Sequence, residues 1–480
     1  MLHRVLTGLC SVAFVSIALA QTQTPPVAQK TAAAASIDAH GAELARLSDQ
    51  VWAYAEPALL ETKSAEALAS YAAAQGFRVR RGVAEMPTAF VAEYGQGAPV
   101  IGILGEYDAL PGLSQKAEST ISPLEAGAAG HGCGHNLLGV GALGAAVAIK
   151  EQIAAGKIAG TIRFYGTPAE ENVGGKLYML RAGLFQDVDI VVSWHPGDKN
   201  DADTKSSQAM VDFIVEFRGK TAHAAFDPWN GRSAVDGLEI FTHSVNYLRE
   251  HVKPTVRIHY SIVDGGQVPN VVPAYAKLWC WVRDVDRDGV EDVMTRIRKI
   301  VAGSALAADV EAKLTVQSGD YNMLVNMAGQ RLVFDNLKWL GPPKFTPAEQ
   351  AFARELQKAT GTEQAGLDDT IKPFVAEPGP PAGGSTDVAD VSWNVPTLQL
   401  TITTAPKDSP WHAWPVVACG GMSIGHTGMT YAAKALASTM IDLYTDPAKR
   451  AEIRKEFAAK VEGKPYQGFL PAGPPPIPKR

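Results

Sequence analysis

The chain has 480 residues, with 44 Lys or Arg against 50 Asp or Glu, a formal charge of -6 and 46% hydrophobic residues. That length exceeds what one hydrophobic core accommodates, so two folding units are expected. The mild acidity, with no basic tract and no aromatic–basic alternation, argues against a nucleic-acid partner.

Residues 1–20 read as a cleavable secretory signal. His3 and Arg4 make a basic start, residues 5–17 are mostly apolar, and Ala18-Leu19-Ala20 is a small-x-small cleavage site. The apolar stretch is short for a bilayer and no stop-transfer pattern follows. A periplasmic or secreted protein is therefore expected, with no membrane contact after signal removal. Leu9 is too bulky to precede a lipidated Cys10. Residues 21–36, rich in Gln, Thr, Pro and Ala, read as a flexible leader. Once Cys10 leaves with the signal, Cys133, Cys280 and Cys419 remain. An odd number argues against a disulfide framework, and Cys280 in LWCWV reads as core.

Residues 37–207 alternate between helical and strand patterns. Helix 64–75 stops at Gly76, residues 89–94 and 100–104 are short buried strands, and Asn136 is placed to cap a helix over 137–155. Strands at 161–167 and 189–194 flank a helix at 176–182. This order predicts a largely parallel sheet covered on both faces. Residues 208–320 change pattern: strand 209–217, helix 233–252, strands 255–263 and 275–282, helix 289–306, strand 311–317. That βαββαβ order is a ferredoxin-like unit inserted in the larger domain. The α/β pattern resumes over 321–462, with helix 347–359, a Gly/Pro-rich loop at 377–384, strand 397–402 and a long helix 425–444. The proline-rich tail 463–480 is expected to lie extended on the surface or to be disordered.

The chemistry gathers at three strand ends. Cys133 and His135 in GHGCGHN are two apart, so an extended backbone points both to one side, and the flanking glycines let the chain wrap closely. His131 stands two residues earlier as a further candidate ligand. Taken alone, the motif reads as readily as a glycine turn before a helix. Glu170 and Glu171 in TPAEE diverge, so one carboxylate can ligate while the other stays free near water, as metal-assisted hydrolysis requires. An acidic helix start is the plain alternative. His195 ends the run DIVVSWHP, at the carboxyl edge where parallel sheets collect ligands. Together these groups point to one site for a borderline ion such as Zn²⁺ or Mn²⁺.

The ordered series GILGEYDALPG, GHGCGHN, TPAEEN, SWHP, GKTAHAA, GGQVPNVVP and GGSTDVADVSW resembles the M20 metallopeptidase family over residues 45–443. Within it, the resemblance is strongest to the amidohydrolase branch of p-aminobenzoyl-glutamate hydrolase B-subunit-like proteins. It implies an α/β catalytic domain with a dinuclear metal centre and an inserted ferredoxin-like dimerisation (lid) domain. Cys133, His135, Glu171 and His195 are implied as ligands of two divalent ions, Mn²⁺ or Zn²⁺, with Glu170 as general base and Asp108 behind the metal centre. Glu106 stands where many family peptidases have a ligand histidine, which moves ligation to the C-x-H motif. The last ligand is His412 or His426. His412 is preferred because it follows strand 397–402 in a loop, whereas His426 begins a helix. The resemblance also implies that His223 reaches the partner subunit's site to stabilise the oxyanion and that Asn270 contacts substrate. Ser385, Thr386 and Asp387 either line the site or cap a helix.

The implied reaction is hydrolysis of the amide bond of a small N-acyl or N-aroyl amino acid with a free carboxylate, such as p-aminobenzoyl-glutamate. A homodimer is expected, with a second homologous subunit as a further partner. A dipeptidase or aminoacylase is the alternative within the same chemistry. Outside it stand a non-catalytic binding protein on this fold and a cysteine-nucleophile amidase using Cys133 and His135.

Overall fold

The computed structural model describes residues 26–478 apart from 378, 380 and 382, so the expected signal segment lies outside the described residues. Helices α1 (Pro26–Tyr54) and α2 (Thr62–Ala74) precede strands β1 (Arg78–Arg81), β2 (Phe90–Gln96) and β3 (Val100–Gly105). Then come α3 (His135–Ala154), β4 (Gly160–Gly166), α4 (Gly175–Arg181) and β5 (Ile190–Gly197). The inserted stretch runs β6 (Ala209–Arg218), α5 (Ala234–Leu248), β7 (Arg257–Asp264), β8 (Tyr275–Asp284), α6 (Arg287–Ala308) and β9 (Glu311–Asp320). The chain returns through α7 (Met327–Leu340), α8 (Pro347–Thr360), α9 (Val388–Ser392), β10 (Thr397–Thr403), α10 (Trp414–Gly420), α11 (Ser423–Thr445) and α12 (Pro447–Val461).

The first sheet has six strands in the order β1-β2-β4-β3-β5-β10. β4, β3, β5 and β10 run parallel, and β1 and β2 join antiparallel at one edge. Successive residues of its strands supply opposite cores. Ile103, Phe164 and Val192 pack under α1, α3 and α11, while Leu104, Tyr165 and Val191 pack against α4 and α9. Both faces are therefore dry, which is why these strands read as continuous apolar runs. Helix α3 is buried along nearly its whole length. Among the described residues it alone is long and apolar enough to cross a membrane, and it lies in the core instead. β3 sits between β4, which follows it in sequence, and β5, which crosses to its other side. The strand order thus reverses at the carboxyl end of β3, where an open α/β sheet leaves a crevice.

The second sheet has the order β7-β8-β6-β9 and is antiparallel throughout. Helices α5 and α6 cover one face through Leu238, Phe241, Val245, Val290, Val293 and Ile297. This is the expected ferredoxin-like insertion.

Three expectations need correction. Residues 26–36 are helical rather than a flexible leader: Ala33 is fully buried, and Lys30 Nζ lies 2.8 Å from Asp442 Oδ2. Small alanines at helical spacing let this turn lie flat on the core, which composition alone disguised as a linker. Asn136 does not cap α3, because Gly134 holds the cap position in a left-handed conformation. The Asn136 amide is buried and donates to Ser48 Oγ (3.0 Å) and to the Gly420 carbonyl (2.9 Å). The described part of the proline-rich tail, 463–478, is anchored. Phe469 enters the core of the inserted domain, Leu470 packs against the catalytic domain, and Arg181 donates to the Pro471 and Gly473 carbonyls.

Candidate metal centre

The carboxyl ends of β3, β4 and β5 deliver the chemistry to the crevice. Glu106 and Asp108 follow β3, Glu170 and Glu171 follow β4, and His195 lies within β5 opposite Thr401 of β10. The glycine-rich loop before α3 brings Cys133 and His135 onto the same point. Gly134 is required there: its φ is +76°, and a Cβ would stand 2.9 Å from Pro196 Cβ beside His195. Gly132 accepts the backbone N–H of His412 (3.1 Å), which pins the 404–413 loop over the site. On the other side Ala169 is left-handed at φ +62°, strained for a residue with a Cβ. Its N–H donates to the buried carboxylate of Glu61 (2.9 Å), which fixes the turn that aims Glu170 and Glu171.

Side-chain donors from these segments interlock. Cys133, His135 and His195 form one group with donor atoms within 4.8 Å of one another; Cys133, Glu171 and His412 form a second; Glu106, His135 and Glu170 form a third. Cys133 Sγ lies 3.4 Å from His195 Nε2, and His412 Nε2 lies 3.5 Å from Glu171 Oε2. Atoms bound to one ion at about 2.0–2.3 Å stand roughly 3–3.5 Å apart, so these separations suit shared ions. His135 Nδ1 is engaged by Asp108 Oδ1 at 2.9 Å, which turns Nε2 inward, and Asp108 Oδ2 accepts the Glu171 N–H at 2.9 Å. A carboxylate behind an imidazole is the arrangement that orients a metal-binding histidine. His135 Nε2 and Glu171 Oε1 are buried with no protein hydrogen-bond partner. Buried polar atoms left in this way are costly unless a ligand meets them, so the residues present fit a metal.

The electrostatics describe a pocket overloaded with acid. Burial, then the charges of Glu106 and Glu171, push the Glu170 carboxyl well above the usual range. Burial pushes Glu171 up to about 7. Glu106 is held below the usual range because the Lys176 ammonium and the His135 imidazole outweigh its burial. Burial and the neighbouring His135 bring His195 down to about 4, which leaves a neutral imidazole with a free lone pair. Burial likewise pushes the Cys133 thiol up. A divalent cation in this pocket would offset the crowding that raises Glu170, Glu171 and Cys133.

Other sequence candidates sit elsewhere. His131 faces away, with Nε2 3.0 Å from the Val51 carbonyl, and is no third donor beside Cys133 and His135. His426 pairs with Asp49 at 2.8 Å on the outer side of α11, whereas His412 joins the cluster with its side chain 56% exposed, at the open side of the site. Asp387 holds the N-cap position of α9, but its buried side chain makes no capping hydrogen bond. It binds the Lys176 backbone N–H (3.0 Å) and ammonium (2.6 Å). His223 and Asn270 lie together in the inserted domain, on segments joined by the Ala224 N–H to Asn270 carbonyl bond, and neither belongs to the cluster. His223 Nδ1 accepts the N–H groups of Ala225 and Phe226, which leaves Nε2 to carry the proton in the neutral ring. Glu61 and Lys176 were not visible as site residues in the sequence, for neither belongs to a motif whose chemistry announces itself. Cys280 and Cys419 are core residues.

Residues 206–308 match the M20 peptidase dimerisation domain. The chain is 35% identical over 473 residues to the B-subunit of p-aminobenzoyl-glutamate hydrolase from Escherichia coli (strain K12), covering 92% of this chain and 98% of that protein. It is 30% identical over 450 residues to Xaa-Arg dipeptidase of Mus musculus, covering 90% of this chain and 93% of that protein. The YxeP protein of Bacillus subtilis, described as a dinuclear metal-binding peptidase from the M20 family, shares the fold. Its TM-score is 0.58 at 16% identity, over 85% of this chain and 99% of that one. Sequence likeness across nearly the full length, on a fold with this strand-end cluster, leads to one conclusion: the chain belongs to the M20 peptidase family and is a hydrolase.

Proposed function

We propose that the protein hydrolyses the amide bond of small N-acyl or N-aroyl amino acids bearing a free carboxylate, with p-aminobenzoyl-glutamate as the first substrate to try. One observation carries this reading: donor atoms of Cys133, His135, Glu171, His195 and His412, from four separate segments, converge within metal-sharing distance. In this reading those five hold two divalent ions, Mn²⁺ or Zn²⁺, and Asp108 orients His135. When bound, the ions supply Lewis acidity to the scissile carbonyl and to the attacking water.

Glu170 takes the proton from that water and returns it to the departing amine. Its raised proton affinity suits a group that must hold a proton between the two steps. His223, with its proton on Nε2, donates to the developing oxyanion across a homodimer interface, and Asn270 beside it contacts substrate. The exposed ring of Phe226 lies edge-on to His223, with centroids 6.4 Å apart, and supports an aromatic acyl group. The bacterial relative is named as one of the subunits of its hydrolase, which supports a second, homologous subunit as partner. The amino-terminal signal pattern supports work outside the cytoplasm, on conjugates scavenged there.

The test is chelation followed by reconstitution with Mn²⁺ or Zn²⁺ against a panel of N-acyl amino acids, N-aroyl amino acids and dipeptides. Activity that survives chelation but is lost on thiol alkylation would transfer the reaction to Cys133 as nucleophile. No turnover of any substrate with both ions loaded would leave a binding protein. Preference for dipeptides over aroyl conjugates would give the alternative substrate class.

A further inference from the structure

We infer that Glu106 is a carboxylate of the metal centre, and that Lys176 is the residue that positions it. This rests on the metal-hydrolase reading of the same site and extends its ligand set.

The buried Glu106 side chain has two oxygens with different neighbours. Oε1 lies 2.7 Å from Lys176 Nζ, and Oε2 lies 3.2 Å from His135 Nε2. The second contact is not a hydrogen bond, since His135 Nε2 has no hydrogen-bond partner in the protein. Asp108 holds the other ring nitrogen, which aims Nε2 at Glu106 Oε2. A cation held by both atoms would meet the buried Nε2, which the protein itself leaves without a hydrogen-bond partner. Their separation is that of two donors on one ion, about 3–3.5 Å. Glu170 completes the same group of donors.

Lys176 explains why only one Glu106 oxygen faces the cluster. The lysine is fully buried in the first turn of α4, and its ammonium lies 2.6 Å from Asp387 Oδ1 as well as beside Glu106. Burying an ammonium costs several kcal/mol unless it is closely paired, so a lysine placed here for packing alone would be unfavourable. Asp387 is clamped in turn by the Lys176 backbone N–H. The resulting chain, Asp387 to Lys176 to Glu106, fixes a carboxylate rotamer at the crevice from two segments that carry none of the other proposed ligands.

The experiment uses full-length protein stripped by chelator and titrated separately with Zn²⁺ and Mn²⁺, with bound ions counted by elemental analysis after equilibrium dialysis. The unsubstituted chain should bind two ions. Glu106→Gln should keep one of them at unchanged affinity and weaken the other by at least about tenfold, while its metal-free melting temperature stays near that of the parent. Lys176→Met should weaken the same ion by about 10- to 100-fold, as loss of a group supporting a ligand does. Should Lys176→Met fail to fold, the double variant Lys176→Met/Asp387→Asn removes the opposite charges together and leaves Glu106 unanchored. Unchanged affinity for both ions in Glu106→Gln overturns the inference. A lowered metal-free melting temperature in the lysine variants, with both affinities intact, overturns the positioning role. Binding of no ion by the unsubstituted chain overturns the metal-hydrolase reading itself.

Discussion

The central strands β3, β4 and β5 of the six-stranded sheet are dry on both faces and deliver side chains from ends locked by long-range contacts. The four-stranded sheet has helices on one face only, and its edge strand β7 leaves Ile262 and Val263 more than half exposed. The groups presented by the two sheets differ accordingly. Around the proposed metal centre every donor but His412 is wholly or largely buried, and Cys133, His135 and Glu106 meet partners far away in sequence, whereas His223 is exposed and held by the N–H groups two and three residues on. A buried parallel sheet fixes its side chains rigidly, while the half-covered antiparallel one presents His223 at the surface, as the proposed role across a dimer interface needs.

Breaking the rigid half at its proposed base should have the largest effect. Glu170→Gln is expected to lower turnover by about 10²- to 10⁴-fold while elemental analysis finds the ion content unchanged. Turnover within a few-fold of the parent would remove Glu170 from proton transfer. Next, His223→Ala should lower kcat by about 10²- to 10³-fold with no change in bound metal. The sharper form mixes the two variants: hybrid dimers of Glu170→Gln and His223→Ala chains should regain activity, since one of their two sites holds both groups. No recovery in hybrids would place His223 in its own chain's site.

Smaller effects test how the two units are joined. Phe469→Ala opens a gap in the inserted domain's core and should cost about 3–5 kcal/mol, read as an earlier unfolding transition. The smallest concerns Asp212 of β6, whose carboxyl is pushed up to about 6 by burial despite the Trp279 indole N–H donating to it. A carboxyl whose folded pKa lies above its unfolded value favours folding below the unfolded pKa, and that contribution is lost as pH rises from about 4 to about 6. Asp212→Asn should therefore flatten the fall in melting temperature over that window and raise it at pH 7 by about 2–4 °C. An unchanged pH profile would show that Asp212 ionises as freely in the folded protein as in the unfolded chain.

Much of this was legible in the residues. The βαββαβ insertion is plain because antiparallel strands with one wet face alternate, as β8 does, and because α5 and α6 carry apolar stripes. The Cys133, Glu170 and His195 segments stand out because soft and hard donors sit at the ends of apolar runs. Less was legible where tertiary context overrides local chemistry. Asn136 looks like a helix cap, yet the glycine before His135 performs that function and the amide crosses to Ser48 and Gly420. Lys176 reads as an ordinary solvent-facing residue near a helix start, and only the folded chain shows it buried between two acids. The alanine-rich start of α1 reads as linker because its small side chains give a weak amphipathic signal.

The tail has a consequence for the order in which the molecule is completed. Phe469 fills the inserted domain's core, but it is made long after β6–β9 have left the ribosome. Until Phe469 docks, that domain carries an unfilled apolar socket and falls short of its full stability. A side chain far beyond β9 in the chain thus ties the stability of the inserted domain to a segment that also packs against the catalytic domain.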